Sequence, residues 1–203
     1  MSKIDSKKQH HINEVIKCIL ERRSIRKYNQ KQISKQDLNV ILHAGIYAPS
    51  ARGQQGVLLI VSKNKEVNEM LGKINRSFFR IPPGTIHISN EQPSIADDAT
   101  IENAFYGAPI VITLFGIKES PNRICDCSVA AENIMIAAHS LGIGSCIIGR
   151  AGETFTSDYG KQLLEKWQID ENYEPSFHVT LGYTDGEHPK AKPRKENRIK
   201  YVE

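Results

Sequence analysis

The run "CSVAAENIMIAAHSLG", residues 127–142, constrains the fold more than any other stretch. It is rich in alanine and apolar on most of its circumference, and a helix of that kind has to be enclosed by protein. Gly142 marks its C-terminal stop. With 203 residues and 39% hydrophobic content, the chain has enough apolar mass to wrap such a helix. The wrapping material is visible as short apolar runs. "VLLIV" from Val57, "IVITLFGI" from Ile110 and "SCIIG" from Ser145 read as buried strands. Phe177, Val179 and Leu181 alternate as a half-buried one.

Helices surround these strands. Ile12, Val15, Ile16, Ile19 and Leu20 follow the i, i+3, i+4, i+7, i+8 pattern of a helix that buries one face. Ser34 and Asp37 resemble a capping box, ahead of an inner face of Leu38, Ile41, Leu42 and Gly45. Val67, Met70 and Leu71 mark a third helix. Ser157 stands where an N-cap would start one carrying Leu163, Leu164 and Trp167. About five helices and four strands make one domain over 1–203. The stretch from Phe78 to about Asn103 is polar, contains "PPG" and lacks periodicity, so a variable, lid-like segment is expected at about 72–102.

Several function classes drop out. Lys+Arg 27 against Asp+Glu 23 gives a net charge of +4, too mild to demand a nucleic-acid partner; aromatic content is 7% and no RNA-module motif occurs. The N-terminus lacks a signal peptide's apolar core, and the longest apolar run, "APIVITLFGI", is far short of the roughly 20 residues that span a bilayer. A cytoplasmic protein that neither spans nor binds a membrane is expected. Cys18, Cys125, Cys127 and Cys146 show neither a disulfide framework nor paired CxxC spacing, so free thiols and no metal are expected. Cys146 lacks an accompanying His/Asp arrangement and reads as a buried strand residue, and His139 as a core histidine. "GIGSCIIG" is no dinucleotide fingerprint: the spacing is wrong, and it follows a helix and precedes a strand.

Charge is concentrated rather than abundant. Arg22, Arg23, Arg26 and Lys27 follow the first helix, and Lys190, Lys192, Arg194, Lys195, Arg198 and Lys200 lie near the C-terminus. Two such clusters can converge on one anion. The alternative for the first is that its arginines cap the helix C-terminus and face solvent.

"RRSIRKY", "APSARGQQ", "FYGAPIVI", "AAENIMIAAHSLGIGSCIIG" and "KPR", in that order, resemble the nitroreductase family of FMN-dependent oxidoreductases over most of the chain outside 72–102. The resemblance implies an α+β fold, a central mixed sheet flanked by helices, in an intertwined homodimer with FMN at its interface and a C-terminal arm, about 188–203, wrapping the partner. It implies hydride transfer from NADH or NADPH through flavin to a nitroaromatic, quinone or similar small-molecule acceptor by a ping-pong mechanism. Chemistry at flavin N5 leaves no side chain with a catalytic role. A flavin-fragmenting or dehalogenating relative, or a non-enzymatic flavin- or nucleotide-binding sensor, are the alternatives.

Mapped onto this chain, the resemblance implies cofactor contacts from Arg22, Arg23, Ser24, Arg26, Lys192 and Arg194. Guanidinium forks and a hydroxyl suit a phosphate dianion, and a fixed cation at Arg26 suits the N1/O2 edge of the reduced ring. Pro49, Ser50, Ala51 and Gln55 match a flavin-touching loop, often supplied by the neighbouring subunit, and Ile148, Gly149 and Arg150 match the turn facing N5. That loop departs from the family's usual pattern at Gly53, Gly56 and Val57, which puts its rigidity in question. Phe78, Phe79, Phe105 and Tyr106 either stack on a planar substrate or pack the lid. Glu132 and Asn133, polar in an apolar helix, are expected to hydrogen-bond across a dimer or near flavin.

Overall fold

A computed structural model describes residues 12–81 and 89–203. In chain order it contains α1 (Glu14–Glu21), α2 (Lys35–Ile46), a 3-10 turn (Ala51–Gly53), β1 (Val57–Ser62), α3 (Lys65–Ser77), β2 (Ile110–Ile117), α4 (Arg123–Ser140), β3 (Gly144–Ile148), α5 (Ala151–Thr154), α6 (Asp158–Lys166) and β4 (Tyr173–Gly182). The four strands align in the order β1-β2-β4-β3, with every neighbouring pair antiparallel. Among the described residues, the parallel part of the expected mixed sheet is a single isolated bridge between Ser24 and Ser145.

The two-residue period of β2 sorts its side chains between two layers. Ile110, Ile112 and Leu114 join Leu38 and Ile41 of α2 and Ala130, Ala131, Ile134 and Ala138 of α4 in one cluster. Val111 and Phe115 join Leu71, Phe105, Phe155 and Leu163 in another, across the sheet. Strand β4 is therefore covered on both faces, and from His178 to Gly182 every residue is buried, where half-burial was expected. Two of its buried polar residues are paired: Thr113 Oγ1 lies 2.9 Å from His178 Nδ1, and the Thr180 hydroxyl donates to the Cys146 carbonyl. Burial, then the charge of Arg150, lowers the His178 pKa to about 3, so that imidazole is neutral.

The helix starts follow the sequence. Ser34 accepts from the Asp37 amide at 3.0 Å, and its hydroxyl donates to the Asp37 carboxylate. Ser157 accepts from Gly160 in the same way. Helix α1 departs from expectation: none of its residues is buried, and Ile12, Val15, Ile16, Ile19 and Leu20 are 41–61% exposed. Among the described residues, its apolar stripe has no cover. Met70 is likewise exposed, while Leu71 carries the inner face of α3. Of the expected segment at 72–102, residues 72–77 belong to α3, 82–88 lie outside the described residues, and Gln92, Ser94 and Ile95 are buried. Among the described residues, no helix is long and apolar enough to cross a membrane.

Candidate functional site

The stretch after α1 is laid onto the end of the sheet. The Ile25 amide donates to the Ser145 carbonyl at 2.9 Å, the Asn29 amide to Tyr183 at 3.0 Å, and the Tyr28 hydroxyl to the Ile25 carbonyl at 2.6 Å. Two glycines permit this approach. A Cβ on Gly144 would meet Ile25 at 2.9 Å, and one on Gly182 would meet Tyr28 at 2.7 Å. With the backbone held, Arg22, Arg23, Ser24 and Arg26 line a cleft of about 500 Å³, whose opposite wall is Lys190, Lys192 and Arg194. The two basic clusters converge. A recess of about 130 Å³ shares Arg22 and Arg23 and adds His139, Ser145 and His188.

The arginines divide into different tasks. Arg23 Nη1 donates to the Leu20 and Arg22 carbonyls, both at 2.7 Å, and so caps α1. Burial and then the charges of Arg194 and Arg22 lower the Arg23 pKa, as like charges crowded together must. Arg22 points elsewhere: its Nε and Nη1 are buried without a hydrogen bond, and Glu132 lies 3.7 Å from Nε. Ser145 Oγ is also buried without a partner. Buried donors without acceptors, in a cleft with more cations than anions, fit the phosphate end of the cofactor that the resemblance implies. Arg26 Nη1 donates to the Gln92 carbonyl at 3.1 Å, an anchor with no counterpart in the sequence reasoning.

The loop Pro49–Gln55 is absent from this cleft. It borders a different depression, formed by Ala51, Arg52 and Gln54 with residues 117 and 119–122. Two hydrogen bonds anchor it. The buried Asp126 carboxylate accepts from the Ala51 amide at 3.0 Å, and Ser50 Oγ accepts from Gln55 at 2.8 Å. Arg52, Gly53 and Gln55 are all held at positive φ. Gly56 is closely packed, since a Cβ there would lie 2.6 Å from the Ile117 side chain.

The turn Ile148, Gly149, Arg150 is fixed by Asn75, which is fully buried and was not singled out from sequence. Asn75 Nδ2 donates to the Gly149 carbonyl at 2.8 Å, and its Oδ1 accepts from Arg150 Nη2 at 3.1 Å. Arg150 itself adopts φ 62°, and its guanidinium lies 5.1 Å from the centre of the Phe79 ring. Of the four candidate pocket aromatics, Phe105 is corrected: it is 1% exposed and packs against His178 with ring centres 4.7 Å apart, so it serves the core. Tyr106 is half-buried and accepts from the Ile95 amide, whereas Phe78 is exposed.

Other expectations resolve within the chain. Asn133 donates to the Ala44 carbonyl at 3.0 Å and ties α4 to α2, while Glu132 is the residue beside Arg22. His139 is no core histidine: it is half-buried, with its ring 6.0 Å from that of His188. Cys146 is buried below Ser24 and Arg26, and burial pushes its thiol pKa up against the pull of Arg26, so no thiolate nucleophile forms there.

An α+β sheet with α2 and α4 on one face, carrying a cationic cleft where the N-terminal segment meets the tail, defines the class. The sequence profile of the Nitroreductase family matches residues 19–183, and the chain belongs to that family. A nitroreductase from Bacteroides fragilis NCTC 9343, whose crystal structure holds bound FMN, is 31% identical with a TM-score of 0.78, covering 94% of this chain and 100% of its own. A protein of Archaeoglobus fulgidus, provisionally named NADH dehydrogenase/NAD(P)H nitroreductase, is 34% identical over 176 residues, 87% of this chain and 88% of its own. The NADPH-flavin oxidoreductase of Vibrio harveyi is 26% identical over 185 residues, 90% of this chain and 70% of its own.

Proposed function

We propose that this protein is an FMN-dependent oxidoreductase passing hydride from NAD(P)H to a small-molecule acceptor such as a nitroaromatic or a quinone. The observation that carries the reading is the convergence of Arg22 and Arg26 with Lys192 and Arg194 on one cleft, with the buried Nε and Nη1 of Arg22 making no hydrogen bond. When bound, FMN would supply the hydride-carrying chemistry for a ping-pong sequence in which donor and acceptor use one pocket in turn. The residues of the chain bind and orient. Arg22, Ser24 and Arg194 grip the phosphate, with Lys192 adding charge. Arg26 would set a fixed cation at the N1/O2 edge of the ring, which would favour the reduced, anionic form. Asn75 braces the turn from Ile148 to Arg150, and that turn would be the one to meet the N5 side of a bound ring.

The site is completed by a second copy of the chain. In support, the apolar stripe of α1 is uncovered, and Ile199, Tyr201 and Val202 of the tail are 74–97% exposed. The Pro49–Gln55 loop, away from its own cleft, then serves the cleft of the partner. This reading places the protein in the cytoplasm, where NAD(P)H is supplied and free cysteines persist.

The test is chemical. The purified protein should be yellow and release FMN on denaturation; colourless protein that takes up no added FMN overturns the proposal. Arg22→Ala should raise the FMN dissociation constant about ten- to a hundredfold and spare riboflavin, which lacks the phosphate, while Arg26→Ala should weaken both.

A further inference from the structure

Gln92 belongs to the variable segment, yet it is 0% exposed and its carboxamide makes four hydrogen bonds. Its Oε1 accepts from the Arg26 and Lys27 amides at 2.7 and 2.6 Å. Its Nε2 donates to the Asp185 and Glu187 carbonyls at 3.1 and 3.2 Å. The network fixes the orientation, because the reversed amide would set donors against donors. These contacts extend a backbone pairing. The Asp185 amide already donates to the Lys27 carbonyl at 2.9 Å, and Tyr28 bridges Thr184, so the carboxamide acts as one more peptide group between the two segments. The backbone of the same residue holds the Arg26 side chain, through Nη1 donating to the Gln92 carbonyl at 3.1 Å.

We infer that Gln92 is a positioning residue: it clamps the Arg26 backbone to the root of the C-terminal tail and aims the Arg26 guanidinium, so that residues 89–92 form a wall of the cofactor cleft. Ser89, Asn90 and Glu91 line that cleft directly. The chemistry of the anchor matters. A neutral carbonyl orients a guanidinium without cancelling its charge, and leaves the cation available to an anionic ligand. Glutamate at this position would lose the two donations to Asp185 and Glu187, and leucine would orphan every group that the carboxamide satisfies. The clamp also helps two clusters more than 150 residues apart in sequence share one cleft: it holds the first at Arg26 and Lys27 and the segment leading into the second at Asp185 and Glu187.

The inference rests on the assignment of Arg26 to the flavin edge, and the experiment separates the two. Flavin midpoint potential, dissociation constants for FMN and riboflavin, and melting temperature are measured for the wild type, Gln92→Met, Gln92→Ala, Arg26→Ala and the Arg26→Ala/Gln92→Ala double variant. Gln92→Ala leaves room for water and guards against a folding failure of Gln92→Met. Both Gln92 variants should lower the midpoint potential in the direction of Arg26→Ala and weaken FMN and riboflavin alike, about tenfold. The double variant should show no potential shift beyond that of Arg26→Ala alone. A shift in Arg26→Ala with a wild-type potential in the Gln92 variants overturns the inference while the flavin assignment stands, and additive shifts in the double variant do the same. An unchanged potential in Arg26→Ala overturns the assignment of Arg26 and the inference together.

Discussion

Helices α1 and α2 are built alike and end differently. Each starts on a side-chain cap, Asn13 accepting from Ile16 and Ser34 from Asp37, both at 3.0 Å. Each carries an apolar stripe at helical spacing. That of α2 packs Leu38 and Ile41 against α4, with Ile41 0% exposed, whereas that of α1 buries nothing. An amphipathic pattern records that a face will be covered; it does not record by what. Within one chain α2 finds its cover, and α1 presents its stripe outward beside the cationic cleft. Under the proposed function, that face is an interface and the cleft beside it is half a site.

The comparison can be broken most directly in the core. Ile41→Ala should cost roughly 2–5 kcal/mol in denaturant unfolding, while Ile16→Ala should be nearly silent in protein diluted to monomer. An equal loss in dilute Ile16→Ala would mean that α1 is packed by its own chain. Val15→Asp combined with Ile19→Asp should weaken self-association roughly a hundredfold or more, seen as a shift to monomer in sedimentation velocity. A pair that sediments unchanged would remove α1 from the interface.

A pH titration sharpens the contrast from the covered side. His178 is neutral in the folded sheet, with its pKa lowered from 6.5 to about 3, so below pH 6.5 the unfolded chain binds a proton that the folded one does not. Its contribution is constant above that pH and is lost as the pH falls from about 6.5 toward 3, at up to about 1.4 kcal/mol per unit. His178→Asn, whose carboxamide can still pair with Thr113, should flatten that part of the stability curve. An unchanged slope would show that other groups set it. The smallest effect is at the caps. Ser34→Ala should cost about 1 kcal/mol by thermal unfolding, and Asn13→Ala less, because α1 buries none of its residues and so propagates less of the loss.

Much of this was legible because it is local. The strands at Val57, Ile110 and Gly144, the enclosed helix ending near Gly142 and the Ser34 cap follow from runs of side chains a few residues apart. Arg22, Arg26, Lys192 and Arg194 were legible as two clusters, and their union as a possibility. Gln92 and Asn75 carried no signal. An isolated carboxamide in a polar stretch looks like solvated surface, and only its distant partners, Asp185 and Glu187 for Gln92, Gly149 and Arg150 for Asn75, give it a role. Phe105 misled in the opposite way, since an aromatic beside a loop looks available until the fold places it against His178.

The sequence by itself determined the periodicities, the caps, the charge clusters and the ordered motifs that identify the family, because each depends on residue type and near spacing. Only the tertiary structure decided which arginine caps a helix and which is left facing the cleft, which apolar stripe is covered, and which buried amides brace the site. Those outcomes depend on what the rest of the chain brings within about 3 Å of a given atom, and hydrogen bonding at that range is set by the whole fold.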